Sequence, residues 1–340
     1  MSYQISLQPG GQTFTAEADQ TVLEAALKAG LILPYSCGDG ACGACKGKVL
    51  AGEVSCANYS RGALSDAERE AGHTLFCRAR PCSDLVLEAR SVGRAGDIPV
   101  KKLPCRVQRL ERVADDVIVL DLKLPASENF VFRAGQYIDI LLADGQRRSF
   151  SIANAPHDGG HVELHVRLIA GGRFTGHVFG AMKERDMLRF EGPLGNFWLH
   201  EDSDRPIVLV AGGTGFAPIK ALVEHALHIG LARPVTLYWG ARTRDGLYLD
   251  ALARSWETML PGFRYIPVLS DGTPDDGWSG RRGLVHEAVL ADFADLSGHE
   301  VYACGAPAMI DAARGSFVRE RGLPDTAFFA DAFTYATQHN

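Results

Sequence analysis

The chain has no segment suited to a membrane: the apolar run Pro206 to Ile219 is short and broken by glycines, whereas a spanning helix needs about 20 consecutive apolar residues. No charged segment followed by an apolar one opens it, as a secretory signal would. It also lacks any block of lysines or arginines interleaved with aromatics, and its formal charge is a modest −6. Nucleic acid is therefore not an expected partner. Internal repeats and low-complexity tracts are absent too, which excludes solenoids and disordered linkers as the main architecture. At 340 residues, the chain buries a core without disulfides. Together these absences predict a soluble, cytoplasmic protein of two or three domains.

What is present is cysteine in an unusual order. Four of the eight cysteines, Cys37, Cys42, Cys45 and Cys77, follow the pattern C-x4-C-x2-C with one distant partner. This is the plant-type ligand spacing of a [2Fe-2S] cluster. Between Cys37 and Cys45 nearly every other residue is glycine or alanine, so the backbone can wrap closely and aim N–H groups at the sulfurs. Four thiolates also suit zinc, and a zinc-stabilised nucleotide-binding module without redox activity is the alternative. Zinc sites usually come as two short cysteine pairs, however, and here there is one. Cys56, Cys82 and Cys105 lack partners at ligand spacing and are expected to be small, buried or half-buried side chains.

The sequence divides itself by punctuation and period. Residues 91–102 include the Gly- and Pro-containing stretch Ser91 to Pro99 and read as a linker, and an acidic turn, Glu201 to Pro206, marks a second break. The expected domains are thus 1–90, 103–202 and 203–340. The first opens with two short strands and a helix near Thr21 to Ala29, stopped by Gly30. In the second, Leu164, Val166 and Leu168 alternate with Glu163, His165 and Arg167, and similar runs at Val117 to Leu124 and Gln136 to Leu142 predict an antiparallel β-barrel. The third alternates strands (Ile207 to Val210, Val235 to Trp239, Arg264 to Leu269, Val301 to Ala303) with helices near Ile219 to Leu227, Tyr248 to Leu260 and Pro307 to Arg321. That order predicts a doubly wound parallel sheet. The fold class is multi-domain α+β and α/β.

Between the first strand and first helix of that last domain lies Ala211-Gly212-Gly213-Thr214-Gly215-Phe216. Such a place lets backbone N–H groups approach a pyrophosphate. The segment lacks the third glycine of the usual dinucleotide fingerprint and the closing residues of a Walker loop, so by itself a tight structural turn explains it as well. The barrel segment adds Arg148-Ser149-Phe150-Ser151 and Gly171-Gly172-Arg173-Phe174-Thr175, and the third domain adds Cys304-Gly305-Ala306-Pro307-Ala308-Met309. Either barrel motif alone could be a surface ion pair and an ordinary turn; both, in this order, are another matter.

With these motifs the whole chain resembles the ferredoxin-NADP reductase superfamily, specifically the iron-sulfur flavoprotein reductases with an N-terminal plant-type ferredoxin domain. The resemblance implies a β-grasp ferredoxin domain, a β-barrel FAD domain and an NAD(P)H domain. It implies cluster ligation by Cys37, Cys42, Cys45 and Cys77. It gives Arg148 to the FAD pyrophosphate, Phe150 to the flavin face and Ser151 to the flavin N5, with Ser149 between them. It places Gly172, Arg173, Phe174 and Thr175 in a second phosphate-binding loop, and His165 and Val166 on the strand beside the cofactor. Gly212, Gly213, Thr214, Gly215, Cys304, Gly305 and Met309 would form the nicotinamide-nucleotide site, with Cys304 shaping the place where hydride leaves. Asp331, an expected catalytic residue with Ser151 and Cys304, stands where relatives often have glutamate, and Phe333 or Tyr335 would be the terminal aromatic that covers the flavin.

The implied activity follows from electron counting. A nicotinamide gives two electrons as one hydride, a [2Fe-2S] cluster takes one at a time, and a flavin can do both. The expected path runs from NADH, or NADPH, through FAD and the cluster to a partner enzyme. That partner is either a terminal oxygenase or hydroxylase, or a deoxysugar dehydrase as for reductases of the CDP-6-deoxy-3,4-glucoseen type. It would dock transiently on a monomer. The arginines of Gly240 to Asp245 could meet a 2′-phosphate or be solvated loop charges.

Overall fold

A computed structural model describes residues 1–35, 38–89, 93–94, 98–271 and 277–333. Among the described residues two units emerge, one within 1–99 together with 330–333 and the other within 100–329.

The first unit is built on a mixed sheet. β1 (Ser2–Gln8) pairs antiparallel with β2 (Thr13–Glu17) and parallel with β8 (Leu85–Glu88). β4 (Lys46–Ala51) pairs antiparallel with β8 and with β6 (His73–Leu75), giving the order β2-β1-β8-β4-β6. Two short ribbons lie outside it, β3 (Leu31–Ile32) with β9 (Gly93–Arg94) and β5 (Val54–Cys56) with β7 (Ala79–Pro81). α1 (Val22–Lys28) begins at a capping box: the Glu24 N–H donates to Thr21 Oγ1 at 3.2 Å and the Thr21 N–H donates to Glu24 Oε2 at 2.8 Å. Val22, Leu23, Ala25 and Ala26 then share one core with Ile5, Leu7, Phe14 and Leu87. α2 (Asp66–Glu70) is a single capped turn whose Glu68 meets the buried Lys46 ammonium at 2.6 Å. This is the expected β-grasp arrangement. Of the non-ligand cysteines, Cys105 is buried and Cys56 half-buried, but Cys82 is exposed, because the chain turns out to solvent just beyond β7.

The second unit opens with six antiparallel strands, β10 (Lys101–Ala114), β11 (Val117–Lys123), β12 (Tyr137–Leu141), β13 (Arg147–Ser151), β14 (His161–Arg167) and β15 (Met187–Leu194), in the order β13-β12-β15-β10-β11-β14. An isolated bridge from Ile152 to Leu164 and the Ala153 N–H donated to the Glu163 carbonyl at 2.8 Å join the two ends. The sheet thus closes into a barrel, filled by Leu120, Leu122, Ile138, Ile140, Leu164, Val166 and Phe190. Gly172 to Thr175, expected as a loop, are the N-cap and first turn of α3 (Arg173–Gly180). Poor helix formers surround that helix, but Phe174 and Val178, four apart, enter the barrel core and hold it.

The remainder is a second six-stranded sheet: β16 (Ile207–Gly212), β17 (Val235–Ala241), β18 (Phe263–Leu269), β19 (Arg281–Arg282), β20 (Glu300–Gly305) and β21 (Phe328–Ala332), in the order β19-β18-β17-β16-β20-β21. Pairs from β19 through β20 run parallel. The helices are α4 (Phe216–His228), α5 (Asp250–Met259), α6 (Val285–Asp292) and α7 (Pro307–Arg321). Strands such as Ile207-Val208-Leu209-Val210 are apolar without alternation because both faces are covered. From β16 the chain builds outward on one side, then returns to place β20 on the other. A topological switch point therefore falls between β16 and β20, where open α/β sheets bind ligands.

Barrel and parallel sheet meet through buried charge. Lys220 of α4, with 9% of its side chain exposed, lies 3.1 Å from Glu163 Oε1, donates to the Ala153 carbonyl at 3.2 Å and pairs with Glu224 at 2.9 Å. His165 is buried although it points outward from the barrel, with Nε2 3.0 Å from Glu163 Oε1 and Nδ1 2.9 Å from the Tyr248 hydroxyl. A second buried pair, Arg233 and Glu300 at 2.6 Å, holds the chain joining the two halves, since Arg233 also donates to the carbonyls of His200 at 2.7 Å and Arg205 at 2.6 Å. Among the described residues no helix is long and apolar enough to cross a membrane.

Two predictions follow from these contacts. A Cβ on Gly215 would stand 2.1 Å from the Cys304 carbonyl oxygen and 2.9 Å from the Gly305 nitrogen. Gly215→Ala should therefore destabilise by about 1–3 kcal/mol. Gly176→Ala, on an exposed turn of α3 with open space around it, should stabilise by roughly 0.5–1 kcal/mol; urea midpoints of the two variants read both. The second prediction concerns pH. Burial alone would raise the Glu163 carboxyl, but the hydrogen bond from His165 and the charge of Lys220 outweigh it and hold it down at about 2. Burial also lowers His165, against the pull of Glu163. Both groups bind protons more readily unfolded, so stability must fall as the pH falls. The His165 contribution is present above its ordinary 6.5 and is lost below it; that of Glu163 is present above its ordinary 4.5 and is lost from there down to about 2. In Glu163→Gln the loss between pH 4.5 and 2 should flatten, as read by the urea midpoint against pH.

Candidate functional site

The cysteine centre is assembled by strand register. β4 and β6 pair with Lys46 opposite Leu75, so Cys45, just before β4, and Cys77, just after β6, are carried to one place. The Phe76 N–H donates to the Cys45 carbonyl at 3.0 Å, and the two sulfurs stand 3.1 Å apart. Cys42, Cys45 and Cys77 are all buried, with 3%, 3% and 5% exposure. Gly38, Gly40 and Gly43 take left-handed φ values of 73°, 79° and 72°. A side chain on Gly40 would collide with Tyr59 and Arg78, so only glycine lets the loop fold this tightly. Cys37 lies outside the described residues, and among those described no group of three or more ligand-type side chains is preassembled. Buried thiols, two of them in contact, beside a loop of left-handed glycines fit a thiolate-held cluster.

In the second unit, Arg148, Ser149, Phe150 and Ser151 lie on β13. The Arg148 guanidinium donates to Gln146 Oε1 at 2.6 Å and the Arg147 carbonyl at 2.7 Å, and the Ser149 hydroxyl donates to Asp139 at 2.6 Å. Ser151 is buried. α3 is tied to the same hairpin, because Phe150 and Phe174 meet at 5.3 Å between ring centroids and Arg173 pairs with Asp144 in the β12–β13 turn. The fold thus brings the two barrel motifs together. Gly172 has no side chain to cap α3, which leaves its first N–H groups for an anion. Phe174 is part of the core, and the Thr175 hydroxyl accepts the Ile169 N–H at 3.2 Å, within the turn. Val166 points into the barrel, and His165 belongs to the buried junction already described. An arginine on a hairpin tied to an uncapped helix start fits a diphosphate.

The glycine turn stands at the switch point. Gly212 ends β16, Gly213 to Gly215 form a single 3-10 turn, and α4 starts at Phe216. Alongside, Cys304 pairs with Ala211 at the end of β20 and is fully buried. Close packing accounts for several glycines: a Cβ on Gly212 would meet Met309 Sδ at 2.5 Å, and one on Gly305 would meet Met309 Cε at 2.8 Å. Trp239 Nε1 donates to the Gly213 carbonyl at 3.0 Å and its ring stacks on Phe216 at 3.7 Å, fixing the turn from beneath. The half-buried Thr214 remains on its accessible side. Asp331 is buried near the end of β21, Phe333 is half-buried just beyond, and Tyr335 falls outside the described residues. Lys220, Glu163 and Tyr248 were not foreseen as site-building residues. The available signal was Lys220 itself, a charge inside the apolar run Phe216 to Val223, which must find a buried partner.

Comparison with known proteins agrees with this geometry. Family models match in chain order: a 2Fe-2S iron-sulfur cluster binding domain over residues 5–82, an oxidoreductase FAD-binding domain over 104–198 and an oxidoreductase NAD-binding domain over 209–315. The CDP-6-deoxy-L-threo-D-glycero-4-hexulose-3-dehydrase reductase of Yersinia pseudotuberculosis serotype I is 42% identical over 98% of this chain and 99% of its own. Reductase component 2 of terephthalate 1,2-dioxygenase from Comamonas sp. is 37% identical over the whole of both chains. The crystal structure of the Amycolatopsis cytochrome P450 reductase GcoB superposes with a TM-score of 0.79 at 35% identity, covering 98% of this chain and all of that one. The chain belongs to the iron-sulfur flavoprotein reductases of the ferredoxin-NADP reductase superfamily, NAD(P)H-dependent oxidoreductases that carry a [2Fe-2S] domain ahead of their FAD and NAD domains.

Proposed function

We propose that this reductase takes electrons from NADH and delivers them singly to a separate partner enzyme, with domains at 1–90, 103–202 and 203–340 serving the three redox groups. Bound FAD accepts two electrons as a hydride and releases them one at a time, as a [2Fe-2S] cluster requires. Cys37, Cys42, Cys45 and Cys77 are the cluster ligands. Arg148 and the start of α3 hold the FAD diphosphate, Phe150 flanks the ring and Ser151 presents its hydroxyl to the reacting edge. Gly212 to Gly215 receive the dinucleotide, while Cys304 and Met309 shape the wall beside it. The observation that carries this reading is the placement of the glycine turn against Cys304 and Gly305 at the switch point of the parallel sheet.

The acceptor is a dehydrase or oxygenase component of the kind served by the relatives named above. Docking is transient and small, through the cluster loop, where Asp39 is exposed and Gly38 and Ala44 are half-exposed over the buried sulfurs. The reductase itself acts as a monomer. NADH is the donor because Arg242, just beyond β17, is engaged by Asp271 at 2.7 Å, and that carboxylate disfavours a 2′-phosphate.

Anaerobic stopped-flow tests the path. NADH should bleach the flavin first and the cluster afterwards, and flavin bleaching never followed by cluster bleaching would reject it. Cys77→Ser should lose iron and acid-labile sulfide and all delivery to the partner, yet keep NADH-driven flavin reduction. Turnover with NADH should exceed that with NADPH by about tenfold or more in kcat/KM, worth roughly 1.4 kcal/mol, and Asp271→Asn should narrow the gap.

A further inference from the structure

We propose that Lys220 is a positioning residue for hydride delivery, holding the nucleotide-binding turn at a fixed distance from the strand that carries Ser151. The inference rests on the flavin and nucleotide sites proposed above. Its geometry is that of one ammonium with three donors and three acceptors. Two acceptors belong to the barrel, the Ala153 carbonyl at 3.2 Å and Glu163 Oε1 at 3.1 Å, and one, Glu224 at 2.9 Å, belongs to α4 itself.

Both ends of this link lead to reacting groups. Ala153 is two residues beyond Ser151, and its N–H is donated to the Glu163 carbonyl at 2.8 Å. The Glu163 N–H is donated in turn to Asn154 Oδ1 at 2.9 Å, and the Asn154 amide donates to the carbonyls of Asp158 at 3.0 Å and His161 at 3.3 Å. The barrel side is therefore braced. On the other side, Lys220 sits one turn into α4, which begins directly after Gly215, so a rigid helix transmits its position to the glycine turn. His165 and Tyr248 add a second link from the same barrel strand at 2.9 Å.

A well-packed apolar side chain could fill this place at similar stability. Apolar contact, however, lets two surfaces slide, whereas directional bonds to a carbonyl and a carboxylate fix their separation. Hydride transfer, which oxidises the nicotinamide and reduces the flavin, needs its reacting atoms about 3–3.5 Å apart, and a misplacement of about 1 Å costs roughly a hundredfold in rate.

The test uses the full-length holoprotein and two variants, Lys220→Met/Glu163→Gln, which removes the cation and its barrel-side carboxylate together, and Lys220→Arg, which keeps the cation. In the double variant the limiting rate of flavin reduction at saturating NADH should fall by about tenfold or more. Half-saturating NADH should change by less than about threefold, since ground-state binding is untouched, and FAD and iron content should be unchanged. Without nucleotide, hydrogen exchange in the segments 153–163 and 212–220 should rise by about tenfold. Lys220→Arg should stay within about threefold of the parent in rate. An unchanged limiting rate, with or without faster exchange, overturns the proposal, as does equal slowing by both variants, which would assign the effect to packing. A parent protein whose flavin is not reduced by NADH would instead overturn the underlying site assignment.

Discussion

Burying an ammonium commits the surrounding structure to satisfy it, and the second unit of this protein is organised around that demand at Lys220. Removing such a cation from water costs several kcal/mol unless every donor finds an acceptor. Here the acceptors come from two layers of that unit, so the barrel and the parallel sheet cannot separate or slip without exposing unpaired charge. The same logic operates at Arg233, whose guanidinium spans the connecting chain and the base of β20. Two buried cations thus hold the relative placement of layers that must present a flavin and a nicotinamide to each other.

The glycines of the nucleotide turn serve backbone packing as well as ligand access. Gly215 and Gly305 let the turn after β16 approach the end of β20 more closely than any Cβ allows, and Gly212 accommodates the Met309 thioether. This crowding brings two strand ends together at the switch point. A ligand-binding crevice and a tightly packed crossing are one construction, which is why a structural turn and a nucleotide-binding turn could not be told apart by reading the residues.

The features legible in the sequence are those whose causes are local. The cysteine spacing reflects ligand geometry, and the alternation of Leu164 and Val166 reflects the pleat, with both side chains in the barrel core. The unbroken apolar strands of the third segment reflect burial on both faces. What was not legible depended on distant partners. His165 alternates as an outward residue, yet α4 and Tyr248 cover it. Leu168, by its period an inward residue, falls beyond the end of β14 and is 41% exposed. α3 was hidden by Gly172, Gly176 and Gly180, each of which lowers helix propensity; only the burial of Phe174 and Val178 decides it.

Single-electron chemistry explains why the thiols sit as they do. Cys42, Cys45 and Cys77 are each within 5% of full burial, and exclusion of water is one of the levers that set the potential of a bound cluster. The loop that covers them is nevertheless short and built from glycine and alanine, with Asp39 its one exposed charge among the described residues from Gly38 to Cys45. Under the transient docking proposed above, so thin and nearly featureless a cover would offer a partner little area to hold. Strong docking would delay the second electron that the chemistry of a two-electron donor always leaves behind.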